Sequence, residues 1–267
     1  MAALSPLAAE LRAAAPERFL TCLFAPAPVR EAMMALAAFE AATGKATLAT
    51  QALAGLGRLA FWRDAIAGAG DGRTLSHPVA DALRQAIAAH RLPASLFATH
   101  LAAREAMLAE GAFPDLAALR LHARDIAAPL LALSCQVLGA PVPPQADEAG
   151  QVLGLAGLLR TAIALARAGR LALPADACSA AGFGVQSLAE GRNGEAVARV
   201  VESVADAARV RVSVPRAALP AFLPLVPARS VLGVLARRGF DPASAALWQV
   251  GTGTRLAVLW AGATGRL

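Results

Sequence analysis

The sequence predicts an all-α protein. Alanine carries most of the excess in a 57% hydrophobic composition, aromatics amount to only 4% with no tyrosine, and apolar residues recur at helical spacing. Alanine loses no side-chain entropy on entering a helix, whereas sandwiches and barrels draw on the aromatic residues that are scarce here. A chain of 267 residues builds one sizeable core, so a single domain over residues 1–267 is expected.

The elements follow in order. The stretch 16–20 leads through a turn punctuated by Pro26 and Pro28 into a first long helix at about 29–43, with Met33, Leu36 and Phe39 at helical spacing and Gly44 as its stop. A second helix at about 47–68 carries Leu48, Leu56, Leu59, Trp62 and Ile66, and the turn Gly70-Asp71-Gly72 ends it. Ser76 serves as an N-cap and Pro78 fits the first turn of a helix that ends near His90. After Arg91-Leu92-Pro93 another helix runs to about Glu110, its stripe of Phe97, Leu101 and Leu108 interrupted by Arg104. Phe113-Pro114-Asp115 precedes a long helix to Leu138, bent at Pro129. The next helix, about 147–168, is apolar nearly all round and belongs in the middle of a bundle. Further helices are expected at about 194–212, 217–225, 229–238 and from 243 onward.

Several function classes are excluded. A mean hydropathy of +0.53 raises the question of membrane spans, which need about 20 consecutive apolar residues. The longest uncharged stretch, 126–146, contains Gly139 and ends in Pro141, Pro143 and Pro144, which describes a buried helix and a loop. Glu10, Arg12, Glu17 and Arg18 break any secretory leader pattern. A cytoplasmic protein is expected, soluble or attached peripherally at the inner face of a membrane, where a net charge of +6 attracts anionic head groups weakly. Nucleic acid is not an expected partner: Lys45 is the only lysine, and the arginines are spread along the helices without a basic tail or interleaved aromatics. Cys22, Cys135 and Cys178 are odd in number, far apart and among apolar neighbours, so they read as buried thiols rather than a disulfide framework or zinc site.

The order of local patterns resembles the squalene/phytoene synthase superfamily from Phe19 to about Asp241. Arg30-Glu31-Ala32 with Ala35-Leu36-Ala37-Ala38-Phe39 is similar to that family's RR-x-A … ALYAF helix. The segment 58–66, RLAFWRDAI, resembles R-L-x-W-W-R-D-A-L. His77-Pro78 and Leu92-Pro93 fall at the matching places, and 159–174 resembles ILRD-x-x-ED-x-x-x-GR-x-YLP. The resemblance implies an isoprenoid synthase-type helical bundle. In the enzymes of the family, two aspartate-rich motifs on facing helices hold magnesium ions and prenyl diphosphates. Mg²⁺ takes oxygen ligands and stabilises the departing diphosphate as a Lewis acid.

At the positions that match those motifs, acid is missing. Gly44 and Lys45 stand where the first acidic pair belongs, Thr161 follows Arg160 where aspartate belongs, and Ala164-Leu165 replace the second pair. Glu40 is alone, and a lysine at a metal-ligand position repels the cation. The pattern is closest to a non-enzyme branch of the superfamily that includes a mitochondrial complex I assembly factor and bacterial relatives, which implies that the ancestral Mg²⁺ site is lost and that no cofactor is bound.

No catalytic residue or metal ligand emerges. The candidates for lining a substrate- or lipid-sized cavity are Phe39, Arg58, Trp62, Arg63, Arg104, Arg160 and Arg170. Arg160 and Arg170 suit bidentate phosphate contacts; the plainer expectation is that Arg160 pairs with an acid and Arg170 caps a helix C-terminus. Trp62 and Phe61 read first as core. Arg104 fits both a relict polar cavity and a snorkelling surface position. His77, His90, His100 and His122 lack metal-binding spacing, and His100 reads as structural. Three functions remain in order of preference. The first is a catalytically silent protein acting as an assembly or interaction factor, with respiratory complex I biogenesis as its field. The second is a prenyltransferase with an altered site that recruits Asp125 or Glu105. The third is a carrier of an isoprenoid lipid.

Overall fold

The computed structural model describes residues 4–71, 74–109, 113–249 and 251–267. Fourteen α-helices and no strand occur among the described residues: α1 (Pro6–Ala14), α2 (Pro16–Cys22), α3 (Ala27–Ala46), α4 (Ala52–Ala67), α5 (Pro78–His90), α6 (Ala94–Ala106), α7 (Leu116–Val137), α8 (Ala146–Arg167), α9 (Ala175–Ala180), α10 (Val185–Ala189), α11 (Gly194–Ala207), α12 (Leu219–Phe222), α13 (Leu225–Arg237) and α14 (Thr252–Thr264). The all-α expectation holds.

Helix starts follow local chemistry. The Ser5 hydroxyl accepts from the Ala8 amide at 3.2 Å, and the Asp115 carboxylate accepts from the Ala118 amide at 2.8 Å; each satisfies an amide that has no partner in a first turn. At α5 the cap is His77, whose Nδ1 accepts from the Ala80 amide at 3.3 Å, not Ser76, which takes a left-handed φ of 54°.

The bounds correct several expectations. Gly44 does not stop α3: the helix runs to Ala46, and Gly44 stays outside the left-handed region that makes a glycine cap. α4 begins at Ala52 rather than near 47, because 47–51 form the turn that reverses the chain. The expected helix at 194–212 ends at Ala207, and 217–225 is a short 3₁₀ turn followed by α12. The stretch from 243 is a 3₁₀ turn over Ala245–Trp248 and then α14. α7 continues through Pro129. The expected ends at Gly72 and Glu110 lie outside the described residues.

α7 and α8 form the central pair. Their close approach depends on glycine: a Cβ on Gly154 would sit 2.2 Å from the Ala123 carbonyl oxygen, and one on Gly150 would sit 2.7 Å from the Ala128 Cβ. α8 is long and apolar enough to cross a membrane. Its buried residues, among them Val152, Leu155, Leu159 and Leu165, instead pack in the protein interior. Two core regions flank this pair. One gathers α3, α4, α5 and α6 around Phe39, Leu59, Leu83 and Phe97; the other gathers α9, α10, α11 and α13 around Leu159, Val201 and Leu235.

Candidate functional site

α3 presents two faces with opposite character. Phe39 and Thr43 point into the first core. Phe39 is fully buried, with the rings of Trp62, Phe97 and His100 centred 5.3, 5.6 and 5.2 Å away. Thr43 meets His100 Nε2 at 2.8 Å, and His100 Nδ1 lies 2.6 Å from the Ile126 carbonyl. A carbonyl only accepts, so Nδ1 carries the proton and Nε2 accepts from the hydroxyl. Burial, aided by the Arg104 charge, pushes the His100 pKa down to about 3. The imidazole is a neutral strut between α3 and α7.

The other face of α3 borders a cavity of about 620 Å³ enclosed by α2, α3, α6, α7 and α8, with the half-exposed Trp248 at its rim. Gly44, Lys45, Thr161 and Leu165, four of the positions where the motifs lack acid, all line it. The wall also carries Met107, Ile126, Leu153 and Leu158. Six charged residues border the space, four cations (Arg18, Lys45, Arg104, Arg160) against two carboxylates (Glu17, Glu40).

Both carboxylates are already engaged. Arg18 pairs with Glu40. Arg160 Nη1 lies 3.1 Å from Glu17, with its guanidinium 5.0 Å from the Trp248 ring centre. All three arginines have an enclosed Nε without a hydrogen-bond partner, but Arg104 alone of them makes no ion pair among the described residues. Burial lowers its pKa to about 10, opposed by the Glu40 charge, so it remains cationic at neutral pH. Its Nη2 lies 3.6 Å from where a Cβ on residue 44 would stand.

Of the seven candidates, Arg104 and Arg160 line this cavity. Arg58 and Trp62 line a second, more open cleft of about 570 Å³ with Lys45, Phe61 and His77. Phe39, Arg63 and Arg170 are corrections, because they face neither space. Phe39 is core. Arg63 is exposed and bound to Glu105 at 2.6 Å. Arg170 is buried and donates to the Thr47 and Ala49 carbonyls at 3.2 and 2.7 Å, closing the C-terminal end of α3. Neither Asp125, which pairs with Arg124, nor Glu105 borders the cavity.

Sequence reading missed Glu17, Arg18 and Trp248. The first two sit on α2, a seven-residue helix too short to show a period, and Trp248 sits on a 3₁₀ turn. Only Pro16, which fits a first helical turn, signalled α2.

The chain is 28% identical to the rat protein named NADH dehydrogenase (ubiquinone) complex I, assembly factor 6, over 84% of this chain and 71% of that one. The human counterpart is 26% identical over the same shares. Among solved structures, squalene synthase HpnC from Alicyclobacillus acidocaldarius superposes with a TM-score of 0.69 at 20% identity, covering 88% of this chain and 94% of that one. A dehydrosqualene synthase solved with a ligand gives 0.68 at 13%, covering 97% and 94%. These two establish the fold. The squalene/phytoene synthase pattern matches residues 11–255, and the chain belongs to that family.

Proposed function

We propose that this chain works by binding rather than by magnesium-dependent prenyl transfer, as an assembly or interaction factor with a protein partner, in the biogenesis of respiratory complex I. One observation carries the reading: Gly44, Lys45, Thr161 and Leu165 meet around one cavity, and none offers a carboxylate. Mg²⁺ requires oxygen ligands, usually one or two carboxylates. The residues present do not fit it: Glu17 and Glu40 are held by arginines, and Lys45 and Arg104 would repel a cation. No cluster of three metal-ligating side chains occurs among the described residues. The role in complex I comes from the relatives' name and is supported by their coverage of most of the chain.

The site of action in this reading is the cytoplasm, at the inner face of a membrane. Leu256, Leu259 and Trp260 of α14 are exposed, Arg255 and Arg266 flank them, and no acid lies in 242–267. An apolar helix face with tryptophan and arginine suits an anionic lipid surface.

The deciding experiment is isothermal titration with farnesyl diphosphate, with and without Mg²⁺. No magnesium-dependent binding is expected. Binding that requires Mg²⁺ would overturn the reading and make prenyl transfer the next assay. Removing the protein from its native cell is expected to lower assembled complex I on a native gel, and an unchanged band would refute that part.

A further inference from the structure

We propose that the cavity is a metal-independent site for an anionic amphiphile, with the charged head on the Arg104 guanidinium beside Gly44 and the chain along the apolar wall. The inference deepens the binding reading above and rests on it.

The charge inventory points to Arg104. Arg18 and Arg160 each have their own carboxylate, whereas Arg104 has neither an ion pair nor a hydrogen bond among the described residues. The Arg104 Nε is enclosed, and enclosed polar groups are nearly always satisfied, because leaving one without a partner is costly. An anion arriving from outside supplies the missing partner, and the planar fork of a guanidinium matches carboxylate and phosphate oxygens two at a time.

Gly44 keeps that fork open. Arg104 lies at van der Waals distance from the point where a Cβ on residue 44 would stand, so no side chain of α3 covers it there. An aspartate at this position would bring a carboxylate next to the guanidinium and neutralise it internally. Lys45, exposed and without an ion pair among the described residues, adds a second positive charge at the mouth.

The remaining space selects the class of ligand. Roughly 620 Å³ falls within the range of small-molecule pockets. Met107, Ile126, Leu153, Leu158 and Leu165 make its wall apolar. A free inorganic anion would leave most of that wall uncovered, while an amphiphile with a carboxylate or phosphate head covers both parts.

The test is calorimetric titration of the full chain in EDTA with dodecyl phosphate, dodecanoate, neutral dodecyl maltoside and inorganic phosphate. Saturable binding of at least one anionic chain is expected, stronger than that of the neutral chain and of inorganic phosphate; comparing the two anionic chains identifies the head group. Arg104→Gln and Gly44→Asp, each checked for an unchanged circular dichroism spectrum, are expected to weaken that binding tenfold or more. The inference is overturned by no binding in EDTA, by equal binding of the neutral chain, or by unaltered affinity in both variants. Inorganic phosphate binding as tightly as dodecyl phosphate would equally refute an amphiphile site. Failure here leaves the proposed function standing, because that reading falls only to magnesium-dependent diphosphate binding or to an unchanged complex I.

Discussion

The two faces of α3 are built on opposite principles. On one, Phe39 and Thr43 belong to a filled core in which both nitrogens of His100 are bonded. On the other, Ala37, Glu40, Ala41 and Gly44 border a hollow where the Nε atoms of Arg18, Arg104 and Arg160 have no partner among the described residues. A single helix thus carries one face that is filled and one that borders open space. A core gains from every contact it makes, whereas a binding site keeps space and polarity that folding alone would eliminate.

Substitutions on the two faces test the contrast. The largest effect is expected from Phe39→Ala, which empties the centre of the aromatic cluster and should destabilise by about 3–5 kcal/mol in urea unfolding. Ala41→Leu, on the hollow side, should change stability by less than about 1 kcal/mol. Equal losses at both positions would erase the distinction.

Acid should separate the faces next. Burial and the Arg104 charge hold His100 near pKa 3 and His122 near 4, against about 6.5 in an unfolded chain. Their folded pKa values are depressed. Above about pH 6.5 both states are therefore neutral and no penalty exists; below it the unfolded chain takes up protons that the folded one refuses. Each histidine should cost about 2 kcal/mol by pH 5. Denaturant midpoints at pH 7.5 and 5.0 measure this, and equal stabilities would contradict the neutral strut.

The smallest effect sharpens the comparison most. Arg104→Met removes a half-buried cation that is unpaired among the described residues, and should leave stability unchanged or raise it by about 1 kcal/mol. A loss of several kcal/mol would mean that Arg104 supports the fold rather than a ligand.

Much of this molecule was legible in the sequence, and the boundary has a physical cause. Long helices such as α3, α7 and α8 were found to within a few residues, because twenty or more residues give room for a repeating apolar face or, as in α8, for an apolar surface nearly all round. α1, α2, α9 and α10 were missed; none exceeds nine residues, and so short a stretch shows too few turns to establish a period. Gly44 shows the same limit differently. In the sequence it reads as a helix stop, whereas in the structure it lies inside α3 against Arg104, 60 residues away in the chain, which is a tertiary fact.

The sequence by itself determined the all-α class, the central place of α8 and the lack of acid at the motif positions, since composition, periodicity and residue identity are properties of the chain alone. Only the tertiary structure decided which arginines share a space. Arg63, Arg104, Arg160 and Arg170 look alike in sequence, yet one is on the surface, one faces a cavity with no ion pair among the described residues, one is paired at its rim, and one closes a helix end. Whether a guanidinium is neutralised depends on carboxylates and carbonyls brought near it from distant parts of the chain, and only folding brings them there.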